Sequence, residues 1–130
     1  MELEVFMLCD AAADYQGRLS ILGVFDNIMA TTLPATHPQC SVAVRIRFKK
    51  TEVGAHNLTL HIVDYDGHMV IPPLQGQFQI QLGGSDSRGA VNLVLNLQGL
   101  IFKSYGNYAI NLAIDGHEIG SLPFSVRKPN

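Results

Sequence analysis

Six acidic and imidazole side chains have the chemistry that catalysis or cation binding would require. They are Asp10, Asp14, His56, Asp86, Asp115 and His117. Converging carboxylates are the oxygen ligands that calcium prefers, and a histidine held by an aspartate can act as a general base. These residues lie far apart in the sequence, so the elements that carry them decide whether they meet.

The loops that carry the six residues are predicted to lie at one end of an antiparallel sandwich. Because short connections favour successive strands of opposite direction, alternate loops are expected to share an end. One end then collects the loops near residues 10–17, 50–56, 83–90 and 115–117. The other end collects those near 31–39, 64–73 and 99–106. Sandwich loops often carry binding functions, so the six residues form a candidate interaction site, although aspartate in a turn is more often structural.

The strands are predicted from hydrophobic alternation, which is clearest between Val91 and Val126. Side chains of a strand point alternately to opposite faces, so apolar residues two apart form one buried wall. Three such walls follow one another: Val91, Leu93, Leu95 and Leu97; Tyr108, Ile110, Leu112 and Ile114; Leu122, Phe124 and Val126. The polar residues between them are expected to face water, and they are Asn92, Asn96, Asn111 and Ser125.

The rest of the chain predicts further strands of the same kind. They span Glu2–Leu8, Arg18–Ile28, Ser41–Lys50 and Asn57–Asp64, and one contains Phe78, Ile80 and Leu82. A bulge at Gly23 would keep the second of these in phase, and the alanines 11–13 could form one helical turn. A chain of 130 residues suits one domain. The sequence therefore predicts a single all-β domain over residues 1–130, an antiparallel β-sandwich of about eight strands with immunoglobulin-like or related topology.

Two polar surfaces are predicted on the outward faces of these strands. Arg45, Arg47 and Lys49 form a basic stripe, which we interpret as a solvated strand face with edge-protecting charges rather than an RNA-binding surface. Neutral amides form the second surface, through Gln77, Gln79, Gln81, Asn92, Asn96 and Asn111. Amides donate and accept hydrogen bonds, so this surface could bind sugar hydroxyls or peptide backbone.

Motifs for nucleotide binding, nucleophilic catalysis and metal binding do not occur. The glycines and serines of Gly83–Gly89 precede a strand rather than a helix, unlike a phosphate-binding loop, and there is no Gly-x-Ser-x-Gly. The turn Asp64–His68 lacks the further carboxylates of an EF-hand. We therefore predict no cofactor, no metal and no assigned catalytic residue, and we expect a protein without enzymatic activity more than an enzyme.

Charge and cysteine content restrict the partners and the compartment. Nine basic and eleven acidic residues give a net charge of -2, which favours neither nucleic acid nor an anionic membrane as a partner. Residues 1–4 lack the basic and apolar segments of a signal peptide, so we expect a cytoplasmic protein. Cys9 and Cys40 are then expected to stay reduced, and the predicted loop arrangement puts them at opposite ends of the sandwich.

A short segment resembles the tyrosine corner of immunoglobulin-like sandwiches. The residues are Ser104-Tyr105-Gly106-Asn107-Tyr108, with Gly106 and Tyr108 at the corner. In that motif a tyrosine near the start of a late strand bonds back to upstream backbone. The position two residues later is Ile110 rather than cysteine, and the chain has no tryptophan, so the resemblance implies a sandwich rather than an immunoglobulin domain.

A longer resemblance covers nearly the whole chain. It is carried by Cys9-Asp10-Ala11-Ala12, by Gly17 to Asp26, by Pro34 with His37-Pro38, by Asn96 to Leu100, and by Gly106-Asn107-Tyr108. These segments resemble a bacterial family of small uncharacterised β-sandwich proteins, known only as a domain of unknown function. The resemblance implies a β-sandwich and implies nothing about activity.

Three functions remain as expectations from the sequence. The first is a non-catalytic, cytoplasmic protein-binding or assembly module, with a protein partner or a homodimer formed through an exposed sheet face or edge. The second is an enzyme or metal-dependent ligand binder that uses the aspartates and histidines of the candidate site. The third is a carbohydrate or peptide binder that uses the amide-rich face.

Overall fold

The computed structural model describes residues 1–130 and contains nine strands and one 3-10 turn, Lys50–Glu52. The predicted all-β sandwich is confirmed. The strands are β1 Glu2–Tyr15, β2 Arg18–Val24, β3 Asn27–Met29, β4 Ala35–Lys49, β5 Gly54–Asp64, β6 Leu74–Ile80, β7 Arg88–Phe102, β8 Gly106–Ile114 and β9 His117–Arg127. There is no helix long and apolar enough to cross a membrane.

Two sheets pack face to face. The first sheet has the order β2-β1-β4-β7, and the second sheet has the order β3-β9-β8-β5-β6. Every pair is antiparallel except β3 with β9, which is parallel. Nine strands occur instead of about eight because the chain crosses from the first sheet to the second at residues 25 and 26. The predicted single strand Arg18–Ile28 is therefore wrong: it is β2 in one sheet followed by β3 in the other.

The core lies where the inward faces of the two sheets meet. Val42, Val44 and Ile46 of β4 are fully buried, as are Leu60 and Ile62 of β5. This is the period-2 pattern expected for strands with one buried face. The inward faces predicted for β8 and for the end of β9 are also buried. Ser125 was expected to face water but is buried, because β3 pairs with β9 at this position, and its hydroxyl donates to the Asn27 side chain.

Several predicted boundaries differ from the observed ones. Residues 11–13 continue β1, so the predicted helical turn there is wrong. The predicted loop 31–39 ends at Pro34, and Pro38 lies within β4. Gly23 has a φ of 70°, but Cys9 and Ala11 pair with Val24 and Leu22 at one constant offset, so no extra residue is inserted and the predicted bulge is wrong.

The distal part of the β1–β2 hairpin, residues 10–23, folds over the outer face of the first sheet, and we call it the arm. Asn92 of β7 donates from its amide nitrogen to the Asp14 carboxylate and to the Gly17 carbonyl, both at 3.2 Å. Ser41 and Ala43 belong to the outer face of β4 by register, yet they are 2% and 0% exposed. The arm thus adds a partial third layer.

The two cysteines are neighbours, which corrects the expectation that they lie at opposite ends. Cys9 of β1 pairs with Ser41 of β4, so Cys40 is adjacent to it on the next strand. Both thiols are free and buried. Cys40 belongs to the core, whereas the register puts Cys9 on the opposite face of the sheet. Burial raises the pKa of the Cys40 thiol to about 11 and also raises the pKa of Cys9, so both are poor nucleophiles.

Candidate functional site

The six residues of the candidate site divide between two parts of the molecule. Asp10 and Asp14 lie on the arm, over the outer face of the first sheet. The other four lie at or near the sandwich end where β4 leads into β5 and β8 into β9. The expectation that the 10–17 loop shares this end is wrong, because β4 runs antiparallel to β1 and the arm folds back over the outer face of the first sheet.

His56 and Asp115 meet at this end. The Nδ1 atom of His56 lies 2.6 Å from Oδ2 of Asp115, and its Nε2 atom lies 2.5 Å from the Glu52 carbonyl oxygen. The other carboxylate oxygen of Asp115 accepts the Asn57 backbone N–H at 2.8 Å. His117 follows the turn at the start of β9, where its charge is close enough to act on the Asp115 carboxylate.

The partners of His56 fix its protonation state. A carboxylate and a backbone carbonyl both only accept hydrogen bonds, so both ring nitrogens must donate and the imidazole is protonated. The hydrogen bond to Asp115 is the largest cause that raises the pKa of His56, followed by the bond to Glu52. The Asn57 N–H and His56 lower the pKa of Asp115. A general base needs a free nitrogen, and His56 has none in this geometry.

Asp86 lies in the connection between β6 and β7. Its backbone N–H donates to the Gly83 carbonyl at 3.1 Å, which is the hydrogen bond of a turn. Asp10 packs against Gly23 where the arm leaves the sheet. Neither carboxylate therefore joins the pair formed by His56 and Asp115, and the six residues do not form one site.

A second acidic group occurs at the opposite end, in the turn after β5. Asp64, Asp66 and His68 each offer one ligand atom, and these atoms lie within 4.8 Å of one another. The Asp64 carboxylate already accepts the backbone N–H groups of Asp66 and His68 at 2.9 and 2.8 Å. These bonds, with the His68 backbone first, lower the pKa of Asp64. The turn's own hydrogen bonds account for this arrangement.

The amide-rich face is divided between the two sheets. Asn92 and Asn96 belong to β7 of the first sheet, whereas Gln77, Gln79 and Asn111 belong to the second sheet. The amides of β7 also bond neighbouring strands: Arg45 donates to the Asn92 side-chain oxygen at 2.8 Å, and Ser41 donates to that of Asn96 at 2.8 Å. The single amide surface expected from the sequence is therefore wrong.

The basic stripe lies on a central strand. Since β4 pairs with β1 and β7, its charges do not protect an edge, and that interpretation is wrong. Glu4 of β1 accepts hydrogen bonds from Arg45 and Arg47, and these guanidinium groups lower the pKa of its carboxyl, with Arg47 the larger cause. Lys49 makes no ion pair.

One side of the sandwich, formed by β7 and β6 and called the open side, consists of two unpaired strand edges. β7 has fifteen residues and pairs only with β4. Beyond Arg88 it contains no charged residue, and it contains no proline. Its inward side chains Val91, Leu93 and Leu95 are only half-buried, as are Leu74 and Phe78 of β6. Sequence alternation predicted these strands but could not predict which of them end a sheet.

The other side, formed by residues 2–8 of β1 and residues 117–124 of β9, is called the closed side. The register shifts in β1 between Leu3 and Val5, and β9 has one extra residue opposite β8 near Ile119. β9 also contains Pro123, which has no N–H to offer. The two strands touch, because a Cβ at Gly120 would lie 2.5 Å from the Leu3 side chain. Bulges and proline are devices that prevent edge pairing.

Tyr108 makes the bond that a tyrosine corner requires. Its hydroxyl donates to the Ser104 carbonyl at 2.7 Å. Gly106, at the start of β8, has a φ of 133°, which a side chain would strain. The Tyr108 ring stacks on Phe124 at 5.3 Å and meets Phe102 edge-on at 5.1 Å. This corner positions β8 in the core and leaves no reactive group free.

Comparison with known proteins gives a family but no activity. A family model described as a family of unknown function, DUF6941, matches residues 4–127. No curated protein matches the chain. Among solved structures, a glycosyl hydrolase family 2 member from Bacteroides cellulosilyticus is similar at 21% identity and a TM-score of 0.42, over 73% of this chain and 14% of that one.

A second solved structure is the alkylpurine DNA glycosylase AlkC of Pseudomonas fluorescens, bound to DNA that contains an abasic site analogue. It is 11% identical, with a TM-score of 0.44, over 97% of this chain and 30% of that one. The chain therefore spans less than a third of the length of either structure.

Proposed function

The chain belongs to the DUF6941 family of unknown function, and we propose that it is a non-catalytic protein-binding module that accepts a strand of a partner chain along β7. The observation that carries this proposal is the fifteen-residue unpaired edge of β7, without proline and without charge beyond Arg88. Strand addition to such an edge obtains its affinity from main-chain hydrogen bonds and its specificity from side-chain contacts.

The inward face of the open side supports the same proposal. Val91, Leu93 and Leu95 stay half-buried although they belong to the core face of β7. A strand added beside β7 would cover these side chains and extend the first sheet from four strands to five. Each square ångström of apolar surface that the added strand removes from water would stabilise the complex by about 25 cal/mol.

A second copy of the chain offers one strand that could add to this edge. Antiparallel pairing of β7 with β7 of another copy around a two-fold axis would join the two first sheets into one of eight strands.

The proposal includes a cytoplasmic location, and the two free, buried cysteines support it because that compartment keeps thiols reduced.

The enzyme alternative lacks a comparable observation. Both nitrogens of His56 are engaged, and Asp115 is engaged by His56 and by backbone. The carbohydrate alternative loses its single amide surface, since Asn92 and Asn96 bond Arg45, Ser41 and the arm. Neither alternative is therefore carried further.

The proposal is tested by photo-crosslinking at two matched positions. A photoreactive amino acid replaces Val94, on the outward face of the β7 edge, or Thr59, on the outward face of the central strand β5. After irradiation in lysate of the source cells, we expect position 94 to form a discrete adduct, with a second copy or another protein, and position 59 to form none. Absence of adducts from position 94, or identical adducts from both positions, would contradict the proposal.

Native mass spectrometry of Val94→Lys gives a second readout. Charged side chains on an edge strand oppose the addition of another strand. We expect the complex that position 94 captures to disappear in Val94→Lys and to persist in Thr59→Lys. Both side chains are half-buried, so circular dichroism checks that each variant is folded.

A further inference from the structure

Two cations oppose each other at the start of the open edge. The register pairs Lys49 of β4 directly with Arg88 of β7. Like charges directly opposite on neighbouring strands are destabilising. Neither side chain makes an ion pair, although Arg45 and Arg47 further along β4 both bond Glu4. The fold thus leaves positive charge uncompensated beside the unpaired edge.

The cleft around these cations contains more basic groups than acidic ones. The two cations line this cleft of about 450 Å³ with Arg47, and the acids in that cleft are Glu2 and Glu52. The Glu52 carboxylate already accepts the amino group of Met1 and the backbone N–H of Lys49. The backbone below the cleft is closely packed, because a Cβ at Gly89 would lie 2.8 Å from both the Phe48 and the Leu82 side chains.

We infer that the partner strand of β7 is an acidic extended segment of another protein, antiparallel to β7, with carboxylates near its carboxyl end. This inference rests on the proposed function. An antiparallel partner ends beside the residue where β7 begins, so its last residues lie opposite Arg88. Opposed residues have Cβ atoms about 5 Å apart, within reach of a carboxylate, and Lys49 lies one strand further.

Charge argues against a second copy in this role. β7 contains no acidic residue from Arg88 to Phe102. Self-pairing of β7 in any register therefore leaves Arg88 and Lys49 without a carboxylate from the opposing strand in both copies. An acidic segment neutralises both cations, and complementary charge also fixes the register and orientation of the added strand.

The test uses short fluorescent peptides of alternating valine and threonine that differ only at their ends. One has two glutamates at its carboxyl end, one has two lysines there, and one has the glutamates at its amino end. Fluorescence anisotropy measures affinity, and amide chemical shifts of residues 91–97 report whether the peptide occupies the edge. We expect the first peptide to bind at least about fivefold more tightly than the other two, with an advantage that declines as salt is added.

Charge-removing variants complete the test. The double variant Lys49→Gln with Arg88→Gln should lower the affinity for the first peptide roughly five- to tenfold, as expected for the loss of two exposed ion pairs. It should not lower the affinity for the lysine peptide. Lys103→Gln, which removes a cation just past the other end of β7, should leave the affinity unchanged.

The outcomes separate this inference from the proposed function. Equal binding of all three peptides with shifted β7 amides would overturn the acidic partner and leave strand addition intact. Binding of the glutamate peptide without shifts in residues 91–97 would overturn both, and so would absence of binding by every peptide.

Discussion

The two long sides of the sandwich treat their strand edges in opposite ways. On the closed side β1 and β9 both have irregular registers, β9 contains Pro123, and Leu3 packs over Gly120. On the open side β6 and β7 are both unpaired along one edge, and β7 presents a long edge without proline. One protein therefore protects one pair of edges and leaves the other free, and the proposed strand addition rests on this difference.

A leucine truncation on each side should have the largest effects on stability. Leu8 of β1 is 3% exposed, so Leu8→Ala should lower the free energy of unfolding by about 2–5 kcal/mol. Leu93 of β7 is only half-buried, so Leu93→Ala should cost about 1–2 kcal/mol. Urea denaturation at fixed protein concentration measures both. Equal costs would mean that the open side is as well covered as the closed side.

One glycine on each side differs in the space available for a methyl group. A Cβ at Gly120 would meet the Leu3 and Phe6 side chains at 2.5 and 3.1 Å, so Gly120→Ala should destabilise by about 1–3 kcal/mol. Gly76 on β6 has nothing within 4 Å, so Gly76→Ala should be neutral or stabilise by up to about 1 kcal/mol. Thermal melts of the two variants test this, and the reverse order of stability would refute the assignment of the sides.

Asn92 links the open edge to the arm that comes from the closed side. Asn92→Ala removes the bonds to Asp14 and Gly17 and should cost about 1 kcal/mol. Hydrogen exchange of arm amides should become faster while that of β8 stays unchanged. The matched variant is Gln98→Ala, an exposed position of the same strand, which should alter neither quantity. Faster exchange throughout the protein would show a global effect rather than release of the arm.

The smallest effect is a pH dependence at the end of the sandwich, where His56 stacks on Phe78 of the open side. The pKa of His56 is raised in the folded state, so its contribution is full below the unfolded value of about 6.5 and declines as pH rises through the folded value. The pKa of Asp115 is lowered, so its contribution declines at acidic pH. The urea midpoint should fall from pH 6 to pH 9, and His56→Gln should flatten this slope. An unchanged slope in His56→Gln would contradict the assignment.

Alternation in the sequence was sufficient to find the inward faces of β4, β5, β8 and β9, because a strand repeats every two residues whatever its neighbours are. The sequence pattern predicted the direction and the sheet of each strand less well. The crossing between the sheets at Phe25 and Asp26 contains no glycine or proline, so the pattern predicted one strand for β2 and β3. The pattern also gave no sign that the arm folds back over the first sheet, so the 10–17 loop was assigned to the wrong place.

The candidate site shows the same limit. His56 and Asp115 meet because β8 pairs with β5 and so brings the β8–β9 turn beside the start of β5, and the loop argument had put both residues at one end. Asp10 and Asp14 lie away from this pair because the arm that carries them folds back over the first sheet. The edge position of β7 depends on the pairing of distant strands, which local residue patterns do not encode.

The measurement that tests the open edge most directly is residue-resolved amide chemical shift mapping. The labelled protein is titrated with the valine-threonine peptide that ends in two glutamates, and both sides are observed together. We predict shifts confined to residues 91–97 of β7 and their partners on β4, with residues 3–7 of β1 and 119–123 of β9 unmoved. Shifts on the closed side, or none on β7, would contradict the account.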